Sequence, residues 1–370
     1  MLHQLSDWCV QKTINVTRTL IILGVRVRMG INLTSIIERK PTSLESLRGK
    51  SFAVDANQML YQFLALIRKA DGTFFTDAEG NVTSHLIGFA FRVTRLLCDY
   101  NMRFIFVFDG RPAPLKLREL DERRLRREKA LAEWRLAVKE GRLAEAFSKA
   151  VSSTRLTGAM VEDTKTLLSA MGLPFVEAPS DAEAQAAFIV NKGDAYAVAG
   201  RDYDTLLYGS PRLVRNLAIR STEFYPSKGY SKVLKPELIE VEEALSRLGI
   251  TRGQLVDIAI LVGTDFNEGV KGIGPKKALQ LIKKYERIEN IPGNIVKPPD
   301  NYEEVRRVFL YPEVKEKYGM KYTGLDEEML IKFLCFEKGF SKERVVKLAE
   351  RLRRFYRSIG EDADLKKWLS

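Results

Sequence analysis

Three short apolar runs in this chain end in aspartate, and that pattern constrains the fold more than any other. Residues 51–55 read Ser-Phe-Ala-Val-Asp, residues 103–109 read Arg-Phe-Ile-Phe-Val-Phe-Asp, and residues 195–204 read Ala-Tyr-Ala-Val-Ala-Gly-Arg-Asp-Tyr-Asp. A continuous apolar run of this length reads as a strand buried on both faces. Helical stretches separate the runs, so the class is α/β, with a central, mostly parallel twisted sheet flanked by helices. In such sheets ligands bind beyond the carboxyl ends of the strands. Carboxylates gathered there are poorly explained as packing. They make a hard, oxygen-rich pocket suited to Mg²⁺ or Mn²⁺.

Asp55, Asp109, Asp202 and Asp204 come from those runs. Asp181 and Glu183 follow Ala178-Pro179-Ser180 after a further candidate strand at 173–177, and Asp265 lies in a later helical region. Ser180 suits an N-cap, and capping alone would account for acids in the first turn that follows. Their place after a strand ties them to the other acids. Ionised carboxylates at ~5 Å and an effective dielectric of ~20 repel by roughly 3 kcal/mol per pair, so such a cluster needs cations. A pair of Mg²⁺ ions would offset much of that charge, and two-metal sites serve in-line displacement at phosphorus.

Composition narrows the partners. Lys plus Arg number 60 against 48 Asp plus Glu, a formal +12, which favours an anionic partner and nucleic acid first. Hydrophobic residues make up 45%, enough for a substantial core. Cys9, Cys98 and Cys335 lie far apart, against a disulfide framework or zinc spacing and in keeping with a reducing, intracellular setting. His3 and His85 are the only histidines; His85 sits in an apolar helical stretch, as a packed or partly exposed side chain. Nucleophilic Ser/His or Cys/His chemistry is therefore unsupported. The apolar run at 20–25 is too short to span a bilayer.

From residue 30 to 109 the pattern reads helix, strand, helix, helix, strand; 156–217 returns to alternating helix and strand; 235–290 reads as helices with tight turns, and 300–358 as charged helices. Residues 111–155 differ: basic residues outnumber acidic ones, and the stretch is helical yet polar nearly all round. Such a helix stands in solvent or meets a charged ligand, and its place directly after an acidic strand end favours the ligand. Lys116, Arg123 and Arg127 share one face of it and could hold phosphate charge, the alternative being ion pairs with Glu119 or Glu122. Residues 269–278 read Gly-Val-Lys-Gly-Ile-Gly-Pro-Lys-Lys-Ala. Gly272 and Gly274 permit a tight turn, Pro275 suits a first helical position, and Lys276 and Lys277 flank a helix N-terminus able to bind phosphate without reading bases.

Phe52-Ala-Val-Asp55-Ala, Val107-Phe-Asp109-Gly-Arg-Pro, Glu177-Ala-Pro-Ser-Asp181-Ala-Glu183-Ala, Asp202-Tyr-Asp204 and Leu261-Val-Gly-Thr-Asp265 through Gly272-Ile-Gly-Pro-Lys-Lys277 occur in the order seen in flap endonucleases. From Met29 to about Phe355 the chain resembles that family, in its archaeal branch. The resemblance implies a structure-specific 5′ nuclease of replication and base excision repair, with endonuclease and 5′-3′ exonuclease activity on flapped or nicked duplex DNA. It implies two Mg²⁺, with Mn²⁺ able to substitute, held by Asp55, Asp109, Asp181, Glu183, Asp202, Asp204 and Asp265. Lys116 and Arg123 fall on the catalytic basic positions of a helical arch, and Tyr61 on the aromatic that stacks on a base beside the scissile phosphate. Residues 269–278 match a helix–two-turn–helix that grips duplex with a bound K⁺, and Lys338, Ser341 and Arg344 match a pocket for a one-nucleotide 3′ flap. Leu365, Trp368 and Leu369 resemble a tail that binds the sliding clamp, although its usual glutamine is missing. A monomer inside a prokaryotic cell, without membrane attachment, is the expected setting.

Asp181 stands where the family usually has glutamate, so that carboxylate is one methylene shorter. Residues 1–28 precede Met29-Gly30, the family's usual start; the working protein is expected to begin at Met29 or to carry 1–28 disordered. The expected organisation is an extension at 1–28, a nuclease region at 29–126, the rest of the arch at 127–155, a second nuclease region with the helix–two-turn–helix at 156–290, a helical region at 291–358 and the clamp-like tail at 359–370. Two rivals are a non-catalytic DNA-junction binder, which gains nothing from the repulsion of so many acids, and a related metal-dependent ribonuclease, which gives no reason for the 269–278 turn or the basic arch.

Overall fold

The structure, a computed structural model, describes residues 21–23, 30–69, 72–218, 222–225 and 230–359. Its strands are β1 (Ile21–Leu23), β2 (Lys40–Pro41), β3 (Ser51–Asp55), β4 (Arg103–Phe108), β5 (Phe175–Glu177), β6 (Ala197–Ala199), β7 (Arg212–Arg215), β8 (Thr222–Tyr225), β9 (Tyr230–Val233) and β10 (Glu237–Glu240). One sheet has the order β2-β10-β7-β6-β3-β4-β5; β1, β8 and β9 form a second, small sheet. Within the first, β7, β6, β3, β4 and β5 run parallel, while β10 pairs antiparallel with both β7 and β2. The mostly parallel sheet read from the sequence is present.

β3 and β4 are buried at every position, as their unbroken apolar runs require. Phe52 stacks on Phe104 with centroids 5.8 Å apart, and Phe89 meets Phe106 at 5.5 Å and Phe63 at 5.3 Å. Phe63 comes from the helix Ala56–Leu66, and Phe89 from a helical run over 84–100. That run must be bare where it crosses Phe63: a Cβ on Gly88 would lie 2.2 Å from the ring. The chain leaves β3 towards β4 and β5 on one side and returns to β6 on the other. The carboxyl ends of β3 and β6 therefore flank a topological switch point, where loops part and leave a crevice.

After β4 the short helical turn Pro114–Lys116 leads into the long helix Leu117–Lys139, followed by Leu143–Ser152. In the long helix only Ala130 and Ala137 are buried among the described residues, which confirms it as polar nearly all round. Arg68 roots the far end of this pair: its nitrogens donate to Leu64 O, Gly72 O and Thr154 Oγ1 at 2.9, 2.7 and 2.6 Å. Helices Arg252–Val262 and Pro275–Tyr285 bracket the glycine-rich turn. Gly269, at φ 73°, lets that turn close: a Cβ there would lie 2.4 Å from Gly263 N. The last described helix, Lys342–Ile359, lies against residues 94–100, where Arg351 Nη2 donates to Asp99 Oδ1 at 2.5 Å, and it buries Leu348, Leu352 and Phe355 in the core.

Two sequence expectations are corrected. Residues 30–39 form turns, not a helix: Asn32 Oδ1 accepts from Thr34 N at 3.1 Å, and the only backbone turn bonds among these described residues run from Ile36 N and Ile37 N to the same Leu33 O, so no helical ladder continues. Residues 237–240 form the strand β10 at the start of the region read as all helix. His85 is fully buried, neither ring nitrogen has a partner, and burial pushes its pKa down to about 3. No helix among the described residues is long and apolar enough to cross a membrane.

Candidate active site at the carboxyl edge of the sheet

The acids read from the sequence meet at the switch point. Asp55 ends β3 and caps the next helix, its Oδ1 accepting from Gln58 N at 2.8 Å. Asp109 follows β4; its Oδ1 accepts from Ala182 N at 2.9 Å and its Oδ2 from Asn57 Nδ2 at 2.8 Å. The loops after β4 and β5 are clamped together, with Gly110 N donating to Ser180 O at 2.7 Å. A Cβ on Gly110 would lie 2.1 Å from Ala178 O, so only glycine brings Asp109 this near Asp181. Asp202 Oδ2 accepts from Gln58 Nε2 at 2.7 Å, and Asp204 Oδ1 from Ile31 N at 3.1 Å.

Electrostatics binds the set together. Burial, then Asp109 and Asp202, drives the Asp55 carboxyl well up. Burial, then Asp204, Asp202 and Asp55, does the same to Glu183. Asp202 is pushed up to about 6 by burial and Asp265, against the pull of Arg201. Asp204 is pushed up to about 8 by burial, Asp265 and Asp202. Asp109 is also raised, by desolvation first, although Lys116 pulls it down and its edge stays open to solvent.

Two cations from the root of the long helix enter this cluster. Lys116 Nζ lies 2.8 Å from Asp181 Oδ1 and 3.8 Å from Asp265 Oδ2. Burial disfavours its ammonium, but Asp181, Asp265 and Asp109 together outweigh that and keep it charged. Arg123 Nη2 lies 2.8 Å from each oxygen of Asp265, and its Nε pairs with Glu119. The ion pair with Glu119 weighed from the sequence is present, and the same guanidinium also meets Asp265. Among the described residues no group of three or more His, Cys, Asp or Glu is drawn in tightly enough to clasp a metal ion as it stands. Lys116 and Arg123 take up part of the charge of these carboxylates. The donor set nevertheless suits a hard divalent ion, being oxygen throughout, and Asn57 Oδ1 is buried beside Asp109 with no partner.

Against known proteins, the XPG N-terminal domain matches residues 29–130 and the XPG I-region residues 172–265. Flap endonuclease 1 of Pyrococcus abyssi is 43% identical over 348 residues, covering 92% of this chain and 98% of the relative. That of Archaeoglobus fulgidus is 45% identical over 340 residues, covering 92% and 100%. The chain belongs to the flap endonuclease family. The solved flap endonuclease-1 of Methanococcus jannaschii superposes with a TM-score of 0.71 at 39% identity, over 90% of this chain and all of that one. The catalytic core of Rad2 in complex with DNA substrate, at 24% identity and a TM-score of 0.60, shares the fold.

Around this flap endonuclease site the remaining candidates fall into separate groups. Tyr61 lies six residues after Asp55 on the helix that Asp55 caps, and the Arg127 guanidinium sits 5.5 Å from its ring centroid. Gly272, Gly274, Lys276 and Lys277 lie exposed at the start of Pro275–Tyr285, while buried Ile273 anchors the turn. Lys338 Nζ is 2.7 Å from Asp163 Oδ2, Arg344 lies 5.4 Å from the Phe91 ring, and Ser341 is exposed; this is a third group, before and within the last described helix. Leu365, Trp368 and Leu369 lie outside the described residues, as does the segment 1–28 except for β1.

Sequence reading missed Asn57, Gln58 and Tyr208. Gln58 spans two strand ends, its Oε1 accepting from Arg201 N at 2.5 Å while its Nε2 holds Asp202. Tyr208 hydroxyl donates to Asp181 Oδ2 at 2.9 Å. Position just after an acidic strand end was the available signal for the two carboxamides; none pointed to Tyr208.

Proposed function

We propose that this chain is a metal-dependent, structure-specific 5′ flap endonuclease, with 5′-3′ exonuclease activity, that hydrolyses DNA phosphodiesters where single strand meets duplex. Lagging-strand maturation and base excision repair supply such junctions. The observation that carries the reading is the meeting of strand-end acids with two arch cations, Lys116 on Asp181 and Arg123 on Asp265. Asp55, Asp109, Asp181, Glu183, Asp202, Asp204 and Asp265 would hold two Mg²⁺, with Mn²⁺ able to substitute. Bound there, the ions supply activation of water and stabilisation of the attacking and leaving oxygens.

The chain's own residues do the rest. Lys116 and Arg123 are held charged, and a phosphate entering beside them meets donors that stabilise its growing negative charge. Tyr61 offers a ring face to a base next to the cleaved bond, a contact tolerant of sequence. The 272–277 turn, with Lys276 and Lys277, would hold duplex phosphates and could take a K⁺. Lys338, Ser341 and Arg344 receive a one-nucleotide 3′ flap. The protein acts as a monomer inside a prokaryotic cell, and Leu365, Trp368 and Leu369 contact the sliding clamp.

The test is a double-flap DNA substrate incubated with Mg²⁺ or with chelator, in parent and Asp202→Asn forms. Cleavage at the junction is expected only for the parent with Mg²⁺, while Asp202→Asn still binds. Tight binding by the parent with Mg²⁺ and no product would overturn the reading in favour of a junction binder.

A further inference from the structure

Tyr208 follows the short helix Asp204–Leu207, which carries one of the acids, and its backbone N–H donates to Asp204 O at 3.0 Å. Its ring is wedged against Phe309, centroids 5.0 Å apart, and Phe309 is braced in turn by Phe266 at 5.3 Å. So held, the hydroxyl reaches Asp181 Oδ2 at 2.9 Å, where both side chains are nearly closed to solvent, Tyr208 6% and Asp181 7% exposed. The other oxygen, Oδ1, faces Lys116 Nζ at 2.8 Å.

The two contacts differ in kind. Lys116 is a cation on the arch and would compete with a metal ion for Oδ1. Tyr208 is a neutral donor on the rigid body of the fold. It occupies a lone pair of Oδ2 without cancelling the charge of the carboxylate, and it fixes the plane of a group that otherwise rotates about two bonds. A longer acid at 181 would drive its terminal oxygens into the phenol.

We propose that Tyr208 is a positioning residue that sets the reach of Asp181, so that phenol and aspartate form a pair matched in length and leave Oδ1 available to a divalent cation. The short carboxylate at 181 works because the hydroxyl holds it. This inference rests on the reading of Asp181 as a metal ligand.

The test is a double-mutant cycle of Tyr208→Phe and Asp181→Glu. The readouts are Mn²⁺ affinity by titration calorimetry on the DNA-free protein, and the Mg²⁺ dependence of single-turnover cleavage. Phenylalanine keeps the ring packed on Phe309, so folding is preserved, and thermal unfolding checks this. Tyr208→Phe alone should weaken Mn²⁺ binding by about tenfold, as loss of a partner behind a ligand does. Asp181→Glu alone should also weaken it. The double variant should recover towards the parent, because the added methylene fills the space the hydroxyl leaves. Additive losses, or a fall in Tm with Mn²⁺ affinity unchanged, would overturn the pairing. Unchanged Mn²⁺ affinity in Asp181→Asn would instead remove Asp181 as a ligand, and the proposal would fall with that reading.

Discussion

Lys116 is bound to Asp181: its Nζ lies 2.8 Å from Oδ1, so the root of the long helix Leu117–Lys139 is fastened to the loop after β5. The bond places a permanent cation inside an acidic pocket, where it can serve a phosphate but must yield to metal. Lys116→Ala should therefore separate two effects. Single-turnover cleavage should slow roughly hundredfold to thousandfold, the usual loss when one preorganised charge donor is removed. DNA affinity should change little, and Mn²⁺ binding to the DNA-free protein should tighten. Rapid-quench kinetics, fluorescence anisotropy and calorimetry read the three quantities, and an affinity loss as large as the rate loss would contradict the assignment.

The acids also make the metal-free protein sensitive to pH. Asp202 and Asp204, pushed up to about 6 and about 8, hold their protons more tightly folded than unfolded. Their favourable contribution is complete below the ordinary aspartate range and is lost as pH rises through the folded values, a window from about pH 4 to about pH 8. The Tm gained on adding Mg²⁺ should therefore be largest at the alkaline end of that window. Asp204→Asn, which keeps the shape and removes the charge, should raise the Tm of the metal-free protein there while abolishing cleavage. Differential scanning calorimetry across the range checks both; a Mg²⁺ increment that shrinks with rising pH would refute the account.

Lys276 and Lys277 stand exposed beside the N-terminus of Pro275–Tyr285, with no acid paired to either among the bonds of the described residues. If each neutralises a phosphate, replacing both with alanine should lower duplex affinity and reduce the slope of log affinity against log salt by up to ~2. Cleavage at saturating enzyme should fall far less. An unchanged slope would take phosphate binding away from this turn.

Much of this site was legible in the sequence because the strands that carry it are buried on both faces. An unbroken Phe-Ile-Phe-Val-Phe run can only be a central strand, and an aspartate immediately after it cannot be core. The residues that aim those acids were not legible. Asn57 and Gln58 look like ordinary first-turn helix residues until β4 and β6 are placed on either side of β3. Tyr208 reads as core, and is core except for one oxygen. β10 escaped because Glu237-Leu238-Ile239-Glu240 is too short to show a period, and its antiparallel pairing between β7 and β2 leaves no mark in the local sequence. The contact of Lys116 and Arg123 with the acids could not be read from spacing, which gave only their shared helix face.

The chain reaches the acids through Gly30. Its φ is 66°, a conformation that favours glycine, and a Cβ there would come within 3.0 Å of Asp202 Cβ and 3.3 Å of Asp204 Oδ1. The next residue, Ile31, gives its N–H to Asp204. Gly30 and Ile31 therefore form part of the edge of the acidic pocket. A chain beginning at Met29 should keep full Mn²⁺ affinity and cleave a flapped substrate at least as fast as the full-length chain, with the advantage largest at subsaturating DNA. Slower cleavage by the Met29 form would contradict this expectation.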